Sequence, residues 1–138
     1  IRKLFNNITL LKNNINLVNN TKIGLNEWAK NIMFKSNDYN RVVLHRNKTH
    51  EIILICWDRN TETKIHNHPN GGCILKVLKG NLNEKLYCSN TKQIKQNNVL
   101  KENDTSYIDD NIGLHSIHNN NNISFTLHIY SPPNFYED

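Results

Sequence analysis

Cysteine is scarce in this 138-residue chain: Cys56, Cys73 and Cys88 are an odd number, and no two of them stand in a Cys-x-x-Cys pair. Neither a disulfide framework nor a thiolate zinc site is indicated, and a reducing compartment is expected. Long apolar runs are missing as well. No stretch approaches the roughly 18 apolar residues that span a bilayer, and the opening residues lack the apolar centre of a signal peptide. A cytoplasmic protein with no membrane partner is the expectation. The formal charge is +5, yet the lysines are scattered singly among asparagines and never gather into a basic patch with interleaved aromatics. Nucleic acid is therefore not expected as a partner. No internal repeat and no linker divides the chain, and its length suits one compact domain. The asparagine runs, such as Asn119 to Asn122, add polarity without chemistry and are read as surface loops.

What the chain does contain is two kinds of apolar pattern. In residues 1–38, Leu4, Ile8, Leu11, Ile15 and Val18 recur at spacings of three and four, and Leu25, Trp28, Ala29, Ile32 and Met33 do the same. This spacing predicts two helices docked on the rest of the fold, with Asn26 as N-cap of the second. Over residues 39–138 the signal changes to short runs rich in β-branched and aromatic residues between polar turns. Strands are expected at 41–44, 51–57, 73–78, 84–88, 92–95, 105–108, 114–118 and 123–130, with Asn70-Gly71 and Lys79-Gly80 as turns. The fold class is mainly β, a double-sheet jelly roll or a small barrel with N-terminal α-helices.

The histidines carry the chemical signal. His66 and His68 are two apart, so on a strand both rings would leave the same face and reach one metal ion. His115 follows a glycine turn and His128 sits in the last strand. Imidazoles alone accept zinc, copper, nickel or iron, so the ligands do not name the metal. The wider spacing is more specific: His66-x-His68, Cys73, Gly80, then His115 and Asn119. It resembles the two-part signature of the cupins, with Cys73 where most cupins place a glutamate ligand. A neutral three-histidine site keeps the full charge of a divalent ion, which favours an anionic thiolate and leaves positions open for dioxygen.

Three longer stretches narrow the resemblance. CWDRNTETKIHNHPNGGCILKVLKGNLNEKLY (56–87), SYIDDNIGLHSIHN (106–119) and SFTLHIYSPP (124–133) resemble the motifs of the cysteine dioxygenases. With NEWAKNIMFKSNDYNR (26–41) the likeness covers about four-fifths of the chain. It implies a cupin jelly-roll barrel, one iron(II) held by His66, His68 and His115, dioxygen as co-substrate, and oxidation of the thiol of free L-cysteine to cysteine sulfinic acid by a monomeric enzyme. Arg41, with Tyr39 in the Tyr39-x-Arg41 motif, would bind the substrate carboxylate, a task suited to a planar guanidinium. Read from the residues alone, Arg41 would be a surface arginine.

The same likeness implies a thioether crosslink between Cys73 and Tyr130, with His128 orienting the tyrosine hydroxyl and Thr126 in a place where serine is familiar. Trp57 would stand near that crosslink or serve as core packing. The Ser131-Pro132 bond is implied to be cis. His45, His50 and His118 match no functional position and are read as surface or loop histidines, with His118 near enough to add a hydrogen bond at the site. Two alternatives stay open: oxidation of 3-mercaptopropionate or a related thiol, against which Arg41 and Cys73 both argue, and a cupin that binds metal without turnover.

Overall fold

The computed structural model describes residues 11–134. A 3-10 turn, Leu11–Asn14, runs into a short helix α1, Ile15–Asn20. Eight strands follow: β1 Tyr39–Arg46, β2 Glu51–Trp57, β3 Cys73–Lys79, β4 Leu82–Tyr87, β5 Ile94–Leu100, β6 Thr105–Ile108, β7 Leu114–Asn119 and β8 Ser124–Tyr130. They form a five-stranded sheet in the order β1-β2-β8-β3-β6 and a three-stranded sheet in the order β5-β4-β7. Every pairing within them is antiparallel. This is the expected mainly β, double-sheet architecture.

The large sheet is covered on both faces, which explains why β2 and β8 are buried along their whole length rather than on alternate residues. Ile52, Leu54, Cys56, Ile74, Phe125, Leu127 and Ile129 point to one side and pack with Leu11, Val18 and Trp28. Ile53, Ile55, Trp57, Cys73, Leu75, Val77 and Tyr130 point to the other, where Leu82, Leu100 and Ile117 meet them from the small sheet. Strand alternation thus sends Thr126, His128 and Tyr130 of β8 into the space between the sheets. Lys76 of β3 points the opposite way and is fully buried; its ammonium donates to the carbonyls of Asn19 and Asn103, tying α1 to the sheet.

The second expected helix is absent. Residues 25–33 form two separate 3-10 turns, Leu25–Glu27 and Ala29–Asn31, broken at Trp28, whose φ of −135° is not helical. Trp28 seats its ring 5.0 Å from that of Phe125, so docking of one indole outweighs the local periodicity. Leu25 and Met33, expected to dock, are exposed. The N-cap is Gly24, whose N–H donates to Glu27 Oε2, and not Asn26. Leu4 and Ile8 lie outside the described residues. Strand β5 runs beyond the expected 92–95 because Lys92 takes a left-handed turn conformation and the pairing starts only at Ile94. The Ser131-Pro132 bond is cis.

Candidate functional site

Between the sheets three imidazoles converge. His115 arrives on β7 and faces inward with Ile117, as alternation requires. His66 and His68 do not lie on a regular strand, contrary to the sequence expectation. They belong to an irregular segment before β3, tied to the small sheet by isolated bridges from His66 to His115 and from Glu62 to His118. The backbone pair His66–His115 closes in both directions, at 2.9 and 3.2 Å. The rings nonetheless reach one point: one nitrogen from each lies within 4.8 Å of the others, and all three residues are buried.

The outer nitrogens decide how these rings present themselves. His66 Nδ1 is 2.8 Å from the Lys64 carbonyl, His115 Nδ1 is 2.8 Å from Glu84 Oε2, and His68 Nδ1 is 3.3 Å from Asp110 Oδ1. Each of these oxygens only accepts, so in the neutral rings Nδ1 carries the proton and Nε2 keeps its lone pair. His66 Nε2 and His115 Nε2 face each other at 2.8 Å, and His68 Nε2 is buried with no hydrogen-bond partner among the described residues. Lone pairs so arranged are unfavourable without a positive centre. Two nitrogens bound at right angles to one ion, each at about 2.1 Å, would stand about 3 Å apart. The site therefore fits a metal ion. Burial and the neighbouring imidazoles hold His66 down at about 4 and His68 at about 2, so both stay neutral at physiological pH.

A second chain of groups runs beside the triad. Trp57 Nε1 donates to Thr126 Oγ1 at 2.9 Å, Thr126 Oγ1 lies 2.8 Å from His128 Nε2, and His128 Nδ1 lies 3.4 Å from the Tyr130 hydroxyl. Indole can only donate, so the threonine proton is directed to His128 Nε2 and the imidazole proton sits on Nδ1. Burial, together with the charge of Arg41, keeps His128 far below its usual range and hence neutral. Tyr130 thus accepts from His128 and directs its own O–H elsewhere. Cys73 is directly opposite Tyr130 in the β3–β8 register, with Sγ 3.9 Å from His128 Nδ1.

Arg41, on β1, is half-buried rather than on the open surface, and its guanidinium carbon lies 5.3 Å over the Tyr130 ring. Its charge reaches His66 and His128, where it disfavours protonation. Tyr39, two residues earlier on the same strand face, stacks on Trp57 with ring centroids 5.0 Å apart. Trp57 consequently both packs the core and donates into the relay. Every candidate site residue read from the sequence is thus gathered around one interior space.

The histidines read as surface groups divide. His45 is half-buried on β1; His50 does lie in the loop between β1 and β2 but is fully buried there, with Nδ1 2.9 Å from Thr49 Oγ1, so the surface reading fails for it. His118 points out of the opposite face of β7, to Glu62 and Ser116, and gives the triad no hydrogen bond. Two contributors were missed. Glu84 is buried; it accepts from His115 and, at 2.7 Å, from Ser106 Oγ. Its signal was available as a carboxylate between Leu82 and Leu86 on an otherwise apolar strand face. Asp110 also takes the His68 backbone N–H at 2.8 Å, and nothing in its loop context marked it. Asn119, from the motif, holds the Asp58 and Asn122 carbonyls and Ser124, and so braces the loops.

Comparison with known proteins agrees with this geometry. Among solved structures, a double-stranded β-helix protein from Klebsiella pneumoniae superposes with a TM-score of 0.65 at 15% identity, covering 80% of this chain and 90% of that one. A cupin superfamily protein from Desulfitobacterium hafniense gives a TM-score of 0.63 at 14% identity, covering 75% and 86%. These show the fold. Cysteine dioxygenase type 1 of Homo sapiens is 37% identical over an alignment of 115 residues that covers 78% of this chain and 58% of the human protein. That of Danio rerio is 31% identical over an alignment of 127 residues that covers 86% of this chain and 63% of that one. The match thus spans about three-fifths of the length of these relatives. The model of the family described as cysteine dioxygenase type I matches residues 1–136, and the chain belongs to that family.

Proposed function

We propose that this protein is an iron(II)-dependent dioxygenase that converts the thiol of L-cysteine to the sulfinic acid. The observation that carries the reading is the convergence of three imidazoles, each oriented through Nδ1, beside a half-buried guanidinium. His66, His68 and His115 would hold one iron(II) per chain. When bound, that ion supplies a binding centre for the thiolate and redox access to dioxygen.

The remaining work falls to the chain's own groups. Arg41 pairs with the substrate carboxylate through two parallel N–H donors and fixes which end of the amino acid faces the histidines, with Tyr39 beside it. The relay from Trp57 through Thr126 and His128 sets the direction of the Tyr130 proton, so this hydroxyl donates toward developing negative charge on the oxidised sulfur. Replacement of serine by Thr126 keeps the one group the relay uses. Cys73 and Tyr130 form the thioether; their direct opposition across an antiparallel pair, where side chains stand about 5 Å apart, supports that bond. The same reading makes the chain a single cupin domain, working as a cytoplasmic monomer. Among the described residues no helix is long and apolar enough to cross a membrane.

Dioxygen uptake by the iron(II)-loaded protein tests the substrate assignment, with L-cysteine and 3-mercaptopropionate compared in the parent chain and in Arg41→Ala. Losing a bidentate charged contact of about 1.5–3 kcal/mol should raise KM for cysteine by about 10- to 100-fold. Preference for 3-mercaptopropionate in the parent chain would overturn the assignment.

A further inference from the structure

The opposite face of β7 carries a second set of chemically matched groups, independent of the iron site. Glu62 Oε2 lies 2.8 Å from His118 Nδ1, and His118 Nε2 lies 2.7 Å from Ser116 Oγ. The carboxylate fixes the tautomer: it accepts from Nδ1–H, which leaves the Nε2 lone pair for the serine proton. Ser116 then donates to His118, and the Tyr87 hydroxyl, 2.9 Å from Ser116 Oγ, donates to the serine oxygen. The order acid, imidazole, hydroxyl, with each bond at hydrogen-bonding distance, is that of an activated nucleophile.

These groups border a cavity of about 480 Å³, lined by Glu62, Thr63, Lys64, Ile65, Tyr87, Ser116 and His118. That volume falls within the range of small-molecule sites. Burial and the charge of Lys85 favour the neutral, basic form of His118, against the opposing pull of Glu62. Ile65 supplies an apolar wall, and Lys64 a cation for an anionic tail.

We propose that Ser116, His118 and Glu62 form a nucleophilic site that cleaves small carboxylic esters. Ser116 Oγ bonds to the acyl carbon while the bond from that carbon to the leaving alkoxide breaks. His118 takes the serine proton and passes it to the leaving oxygen. As the Ser116 oxygen commits its lone pair to the acyl carbon, the Tyr87 O–H leaves it and turns to the acyl oxygen, where charge builds. Water then repeats the exchange, releasing the acid and restoring Ser116.

An alkyl fluorophosphonate tests this directly, because it loses fluoride to an activated serine and leaves a stable phosphonyl adduct. The full-length protein should be treated at neutral pH, with the adduct located by peptide mass spectrometry. The expected result is one adduct on Ser116, absent in Ser116→Ala. Formation should slow at least about tenfold in Glu62→Gln, since the base loses the partner that orients it. Glu62 has a side chain 65% exposed, so its amide keeps the fold, and circular dichroism of both variants checks this. No adduct, an adduct on another residue, or an unchanged rate in Glu62→Gln would each overturn the proposal.

Discussion

Thr126→Val removes one hydroxyl from the middle of the relay while preserving the shape of the side chain. Trp57 and Thr126 have no exposed surface and His128 is 3% exposed, so water does not replace what is lost. Trp57 Nε1 would lose its acceptor and His128 Nε2 its donor. Each orphaned buried group costs about 1–3 kcal/mol, or about 2–6 for the two. The added apolar methyl returns about 0.8 kcal/mol. A net loss of about 1–5 kcal/mol follows, a large part of the roughly 5–15 kcal/mol that stabilises a domain. Thr126→Ser is the matched control: it keeps the hydroxyl and gives up one buried methyl, at about 0.5–1.5 kcal/mol. Urea denaturation of the metal-free proteins measures both. If the valine variant loses less than about 1 kcal/mol, the threonine does not join indole to imidazole and the proton order assigned to Tyr130 fails.

Metal-free protein should lose stability as the solution is acidified. His66, His68 and His128 are held neutral below their ordinary range, so below about pH 6.5 the unfolded chain binds protons that the folded chain refuses. Their contribution is complete above that pH and declines as it falls toward 4. At about 1.4 kcal/mol per pH unit for each ring, the slope approaches about 4 kcal/mol per unit near pH 5; a flat stability curve between pH 7 and 5 would contradict the assigned neutral state. Glu84→Gln should weaken iron(II) binding by about 10- to 100-fold, because the ring of His115 loses its charged acceptor. Anaerobic titration against a competing chelator reads this, and unchanged affinity would show that Glu84 does not tune the ligand.

Much of this arrangement was legible because strand chemistry is local. β2 and β6 were bounded correctly by their runs of β-branched and aromatic residues, and the period of two along β8 put Thr126, His128 and Tyr130 on one face. Where packing overrules the local pattern, the reading failed. The apolar repeat from Leu25 to Met33 suggested a helix, but the seat of Trp28 against Phe125 fixes a broken path of 3-10 turns. The exposed edge strand β5, with Lys, Gln and two Asn in its centre, carries little strand signal, and its pairing with β4 is a long-range property. His66 and His68 were found for partly the wrong reason: no continuous strand carries them, and backbone bridges to β7 with Nδ1 acceptors aim their rings. Glu84 could be marked as a carboxylate on an apolar strand face, but its partner His115 is set by the pairing of β4 with β7, a long-range property.

The most direct measurement is isotopic. Iron(II)-loaded protein would be supplied with L-cysteine under oxygen-18 gas, and the product analysed by mass spectrometry. The account predicts cysteine sulfinic acid carrying both oxygens from the gas, with one dioxygen consumed per product and formation abolished when His66, His68 or His115 is replaced. No sulfinic acid from a protein that demonstrably holds iron, or product formed equally well without the three histidines, would contradict it.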